Sequence, residues 1–178
     1  DMIGTDSERR YRFDWSLIGD IPLGRPHLGN QTRLEVFRLM QFCFRDVIEQ
    51  HLGADMTDRI SYEAGELAGG HFYRHVVGQV PDLATFIDRL RDLFREMGIG
   101  ILRAEEVDEA AGRLMLTVSE DLDCSGLPEL DYEACTYDEG FIAGLLAGFS
   151  GRRFRVREVD CWCTGDRTCR FVAEAEAA

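Results

Sequence analysis

Residues 153–171 read RFRVREVDCWCTGDRTCRF, and the fold turns on how that stretch is read. Arg153, Arg155 and Arg157 fall on one side of an extended strand, with Phe154, Val156 and Glu158 on the other. The arginines belong in water, so the apolar side faces inward and takes a glutamate with it. A carboxylate among buried apolar residues is costly unless a metal ion or an arginine meets it. Thr164-Gly165-Asp166 reads as a three-residue hairpin loop that pairs Cys163 with Arg167 and sets Cys161 opposite Cys169. Phe171 shares the face of Cys169, which makes that face the inner one. Glu158 and Cys161 are out of phase in a regular strand, so the spacing predicts a bulge near Val159 and Asp160. Two strands follow, over 153–163 and 167–174.

Upstream, Thr136-Tyr-Asp-Glu139 has the form of a capping box and opens a helix from Tyr137 to about Phe149. Before it, 99–107 and 114–118 alternate as strands around the turn DEAAG, and SEDLDCSGLPELD is a polar loop. Three helices come first. One opens at the box Thr32-Arg-Leu-Glu35 and runs to about Leu52; Cys43 falls in its apolar stripe and reads as a core residue. A helix this apolar is either central to the fold or buried at a subunit interface. The second covers 55–77, and its glycines imply close packing against a neighbour or room for a ligand. The third covers 82–97. The order predicts an α+β domain, with helices on one face of a roughly four-stranded antiparallel sheet and a metal-bound C-terminal hairpin. Residues 1–14 read as a flexible leader, residues 15–30 as an irregular arm or edge strand, and 15–178 as one domain.

The chain has 178 residues and a net charge of −13, an acidity that argues against nucleic acid or anionic lipid as partners. The longest apolar run, FIAGLLAGF, is too short to span a bilayer. With no export signal the expected location is cytoplasmic, and clustered cysteines favour thiolate metal ligation over disulfides. No dinucleotide fingerprint, Ser-His-Asp order or paired acid and base marks the chain as an enzyme.

Cys161 and Cys169 need further ligands. Cys135 is the best distant donor, because the N-terminal end of a helix is electropositive and lowers a thiol's pKa. With Glu158 the set is Cys135, Glu158, Cys161 and Cys169, a closed shell that suits structural zinc. Cys163 could replace one of these ligands, and a metal-free reduced hairpin or a redox-labile cysteine pair are the alternatives.

CTYDEGFIAGLLAGF, a Gly-Arg turn and VREVDCWCTGDRTCRF together resemble the vinyl-4-reductase domain family, from about Trp15 onward and most specifically over 135–171. Such domains occur in bacteriochlorophyll biosynthesis and as sensors in phenol-responsive bacterial regulators, with a related fold in vesicle-tethering subunits. In the aromatic sensors zinc is held by a Cys, a Glu and two further Cys. The resemblance places these on Cys135, Glu158, Cys161 and Cys169, and selects Glu158 over Asp160. Those sensors hold the phenol hydroxyl with a His and a Trp. Here the only tryptophans are Trp15 and Trp162, and Leu114 and Leu116 stand where that Trp is expected, so phenol specificity does not carry over.

The resulting expectation is a zinc-stabilised domain that binds a small hydrophobic or aromatic ligand and acts as a homodimer or through a signalling partner. The expected pocket, between helices and sheet, is lined by Phe37, Phe44, Leu67, His71, Leu114, Leu116 and Phe141. Alternatives are an enzyme or chaperone of tetrapyrrole metabolism, with His71 or His75 near the pigment, and a scaffold subunit with a vestigial pocket. Cys124, with Glu120, Asp121 and Asp123, is expected in a solvated loop.

Overall fold

The computed structural model describes residues 9–177. Residues 1–8 of the expected leader lie outside the described residues. The chain divides into two compact units at the Arg33/Leu34 boundary. The first is irregular, with a 3-10 turn at Trp15–Ile18 and one helical turn, α1 (Ile21–Gly24). Asp14 and Asp20 cap these by accepting hydrogen bonds from the backbone N–H groups of Ser16 and Leu23.

The second unit holds helices α2 (Leu34–Leu52), α3 (Ala54–Phe72), α4 (Leu83–Glu96) and α5 (Thr136–Ser150). Its strands are β1 (Ile101–Asp108), β2 (Arg113–Ser119), β3 (Phe154–Asp160) and β4 (Cys169–Ala175). All strand pairs are antiparallel, in the order β1-β2-β4-β3. The α+β architecture expected from the periodicity is therefore present. Asp82 caps α4 by accepting from the Thr85 N–H at 2.8 Å, and the helix buries Leu83, Phe86, Leu90 and Phe94. α3 runs on as a π-helical turn, Tyr73–Val77, and Gly78 ends it at φ 73°.

α5 is apolar all round because it lies between α3 and the β3–β4 hairpin, and residues 140–146 are all buried. Its approach to α3 explains the glycines. A Cβ on Gly65 would lie 2.0 Å from the Tyr137 carbonyl oxygen, and one on Gly140 would lie 1.9 Å from that of Tyr62. Gly69 and Gly144 make the same kind of backbone-to-backbone contact, at 2.2 Å. These four glycines serve close packing, and no ligand space lies there.

α2 departs most from expectation. It contributes no fully buried residue, and Val36, Leu39, Met40, Phe44 and Val47 are more than half exposed. Cys43 is exposed as well, and not a core residue. The apolar stripe is present in the sequence, but periodicity does not say what covers it. The inner side of α2 is held largely by arginines. Arg45 pairs with Asp58 at 2.6 Å, and Arg38 donates to the carbonyls of Leu122 (2.9 Å), Asp121 (3.3 Å) and Ser125 (2.9 Å).

Candidate metal centre

β3 alternates as expected: Phe154, Val156 and Glu158 are buried, and Arg153, Arg155 and Arg157 are exposed. The expected bulge is present, with the register slipping between Glu158 and Asp160. The hairpin loop is wider than three residues. β3 stops at Asp160, a 3-10 turn occupies Trp162–Thr164, and β4 resumes at Cys169, so Cys163 and Arg167 are not ladder partners. The Cys161 carbonyl organises this turn. It accepts from the backbone N–H groups of Thr164 and Asp166, both at 3.1 Å, and from the Thr164 hydroxyl at 3.0 Å.

Four cysteines converge beneath the turn. The Sγ atoms of Cys124, Cys135, Cys161 and Cys169 all lie within 4.8 Å of one another, and each residue is fully buried. Cys135 lies 3.9 Å from both Cys161 and Cys169, and Cys124 lies 3.0 Å from Cys169. Zinc–sulfur bonds of about 2.3 Å give a tetrahedral edge of about 3.8 Å, so this buried cluster can hold a metal ion. Cys163 is buried but stands outside the four-sulfur group.

Cys135 is the N-cap residue of α5. The capping box expected at 136–139 does not form. The Thr136 hydroxyl is buried without a hydrogen-bond partner among the described residues, and the Glu139 carboxylate reaches across to accept from the Glu158 N–H at 2.7 Å. The Cys135 thiol is pushed up, not down, by its hydrogen bonds with Cys124, Cys161 and Cys169 and by burial. The same sulfur contacts pull Cys161 down. Neighbouring sulfurs outweigh the helix end here.

Of the two carboxylates in question, Asp160 forms an ion pair with Arg170, and Glu158 faces the sulfurs. Burial, then the charges of Cys169 and Cys161, push Glu158 up to about 11. Neither of its oxygens has a nitrogen or oxygen partner among the described residues.

Cys124 shows little signal in the sequence as a site residue, and its loop is buried rather than solvated. Asp121 is 4% exposed and Asp123 2%. The Asp121 carboxylate accepts from the N–H groups of Asp123 (2.8 Å) and Cys124 (3.2 Å), and Arg38 gathers the loop's carbonyls. Burial and the Asp123 charge raise Asp121 to about 7. The loop is also tied to the hairpin, through the Trp162 indole N–H to the Leu127 carbonyl (2.9 Å) and the Leu130 N–H to the Cys163 carbonyl (2.7 Å). Asp-Leu-Asp-Cys, an Asp two and three positions before the N–H groups it accepts from, is the one local clue.

The residues expected to line a pocket are dispersed. Leu114, Leu116 and Phe141 are packed in the core, Phe37 and His71 are half-buried, and Phe44 and Leu67 are exposed. The structure does not close one pocket over all seven. His71 and His75 stack at 5.9 Å between ring centroids.

Residues 114–175 match the vinyl-4-reductase domain family, the family of the resemblance. This segment of the chain, from β2 through the cysteine hairpin, is a vinyl-4-reductase domain. A protein of Methanocaldococcus jannaschii is 26% identical over 160 residues, covering 90% of this chain and 85% of that one. The fold is shared with a vinyl-4-reductase family protein from the same organism, at TM-score 0.58 and 20% identity over 84% of this chain and 85% of that one. It is also shared with the phenol-responsive sensory domain of the transcription activator PoxR, solved with phenol, at TM-score 0.63 and 14% identity over 81% and 75%. A third such structure is trafficking protein particle complex subunit 3 from Naegleria fowleri, covalently bound to palmitic acid, at TM-score 0.66 and 9% identity over 81% and 95%. Among the described residues, no helix is long and apolar enough to cross a membrane.

Proposed function

We propose that this protein is a small-molecule-binding sensor domain. It takes a hydrophobic or aromatic ligand on the α2 side of the fold and passes the signal to a second copy of itself or to a partner protein. The neighbours solved with phenol and with palmitic acid support ligand binding by this fold. The observation that carries the reading is α2. This nineteen-residue helix is fastened by Arg38 and Arg45 and buries none of its apolar residues completely. A helix held by polar clasps over half-buried Phe37, Phe42 and Ile48 can move to admit a ligand without opening the core. Phe37 and His71 are the half-buried members of the expected lining and stand closest to that role. The outer stripe of Val36, Met40 and Val47 is then available to a partner.

In the same reading a zinc ion ties the C-terminal hairpin to the start of α5 through Cys135, Cys161 and Cys169. Buried soft thiolates suit zinc, and a filled shell is structural rather than catalytic. The site holds the frame on which α2 moves.

The test is extraction of the purified protein followed by mass spectrometry of what is released. A bound aromatic or fatty acyl compound is the expected result. A released tetrapyrrole favours the pigment-handling alternative. No released compound, together with no thermal shift on adding phenols or fatty acids, refutes ligand binding.

A further inference from the structure

Five donors compete for the four places of a tetrahedral site: the thiols of Cys124, Cys135, Cys161 and Cys169, and the carboxylate of Glu158. We propose that Cys124 is the fourth metal ligand and that Glu158 stands outside the shell, so that the ion is held by four thiolates. The inference rests on the metal reading above and departs from the Cys-Glu-Cys-Cys set that the family resemblance implies.

Geometry makes the choice. A tetrahedral donor must neighbour each of the other three. Cys124 meets that condition, since all four sulfurs are mutually within 4.8 Å. Glu158 interacts with Cys161 and Cys169, whereas the groups acting on Cys135 are Cys124, Cys161, Cys169 and Asp138. Glu158 thus borders one edge of the cluster and does not close it.

The loop carrying Cys124 is also built to hold its position. Glu120, at φ 51°, is the one non-glycine residue with a left-handed backbone among the described residues, and it turns the chain out of β2. Asp121 then fixes the Cys124 N–H, Arg38 holds three carbonyls around it, and the Trp162 and Leu130 hydrogen bonds lock the following residues to the hairpin. Such preorganisation keeps a ligand in place when the ion is absent. Glu158 is left to hydrogen-bond the Cys161 and Cys169 sulfurs from outside, as the outer partners of metal ligands commonly do. A fourth thiolate on this loop also puts α2 in mechanical contact with the metal, since Arg38 grips the residues on either side of Cys124.

The experiment replaces zinc with cobalt(II) under reducing conditions and reads the sulfur-to-cobalt charge-transfer absorption per bound metal. Wild type is expected to bind one ion with the intensity of four thiolates. Cys124→Ser is expected to fall to about three-quarters of that intensity, and Glu158→Gln to match wild type. If Cys124→Ser does not fold, Cys124→Asp retains a donor and gives the same three-thiolate reading. Three-thiolate intensity in wild type, unchanged by substitution at Cys124, overturns the inference while leaving the metal site standing. Failure of wild type to take up cobalt or zinc overturns both.

Discussion

Replacing Gly140 with alanine tests the α3–α5 packing directly. The added Cβ would lie 1.9 Å from the Tyr62 carbonyl oxygen and 2.8 Å from the Glu66 nitrogen. Ordinary contact begins near 3.4 Å, so the two backbones must part by about 1.5 Å at this point. Overpacking a core costs about 1–3 kcal/mol when side chains can rotate away. Here the obstacle is helical backbone, which cannot rotate away, and the cost belongs at or above about 3 kcal/mol. Alanine's better helix propensity returns about 1 kcal/mol, leaving a net loss of about 2 kcal/mol or more. For a chain of this size that lowers the melting temperature by about 4–8 °C. The internal control is Gly70→Ala on the facing helix, α3. Its Cβ would meet only the Arg74 guanidinium, at 3.5 Å, so the propensity gain is nearly free and stability rises by up to about 1 kcal/mol. Urea titration of both variants gives the comparison. If Gly140→Ala and Gly70→Ala share a midpoint, the backbone-contact reasoning is wrong.

Three further outcomes are expected. Glu139 is raised from 4.5 to about 7 by burial, so the folded state holds its proton more tightly than the unfolded chain. Its contribution to stability is complete below about pH 4.5 and is lost as pH rises through about 7; the wild-type minus Glu139→Gln difference in unfolding free energy should decline across that window. Cys43 is the exposed cysteine and the other five are buried, so brief maleimide treatment of the folded protein should label Cys43 alone by peptide mass spectrometry. Arg38→Ala removes three hydrogen bonds from a part-buried guanidinium, at a cost of about 1.5–3 kcal/mol. It should speed amide exchange at 121–125, and unchanged exchange there would remove Arg38 from the account of the loop.

Much of the fold was legible because strand alternation and helical stripes are local. The β3 alternation and the slip at Val159 follow from the parity of Glu158 and Cys161, and Asp82-Leu-Ala-Thr85 caps α4 where the apolar stripe begins. The misreadings occur where a residue's partner is distant in sequence. Thr136-Tyr-Asp-Glu139 has the letters of a capping box, but a strand N–H nineteen residues on takes the glutamate. Cys124 lies among acids that read as solvated, and only Arg38, 84 residues from the Leu122 carbonyl it holds, makes that loop an interior one. The apolar stripe of α2 gave the right face but not its exposure. The small residues of α3 fitted close packing and ligand space equally well until α5 was placed against them.

The strand order bears on the route by which the chain assembles. β1–β2 and β3–β4 are hairpins that close locally, whereas β2–β4 joins residues about fifty positions apart, Val118 facing Cys169. That seam carries the entropic cost of the sheet and is expected to zip last, after α5 has docked. Cys124 lies just beyond the first hairpin, and Cys161 and Cys169 belong to the second, so a bound ion sits as a clasp at the open end of the seam. Metal held there would slow unfolding chiefly by keeping the two hairpins from peeling apart. Loss of the metal would shorten the folded protein's lifetime before it altered any single strand.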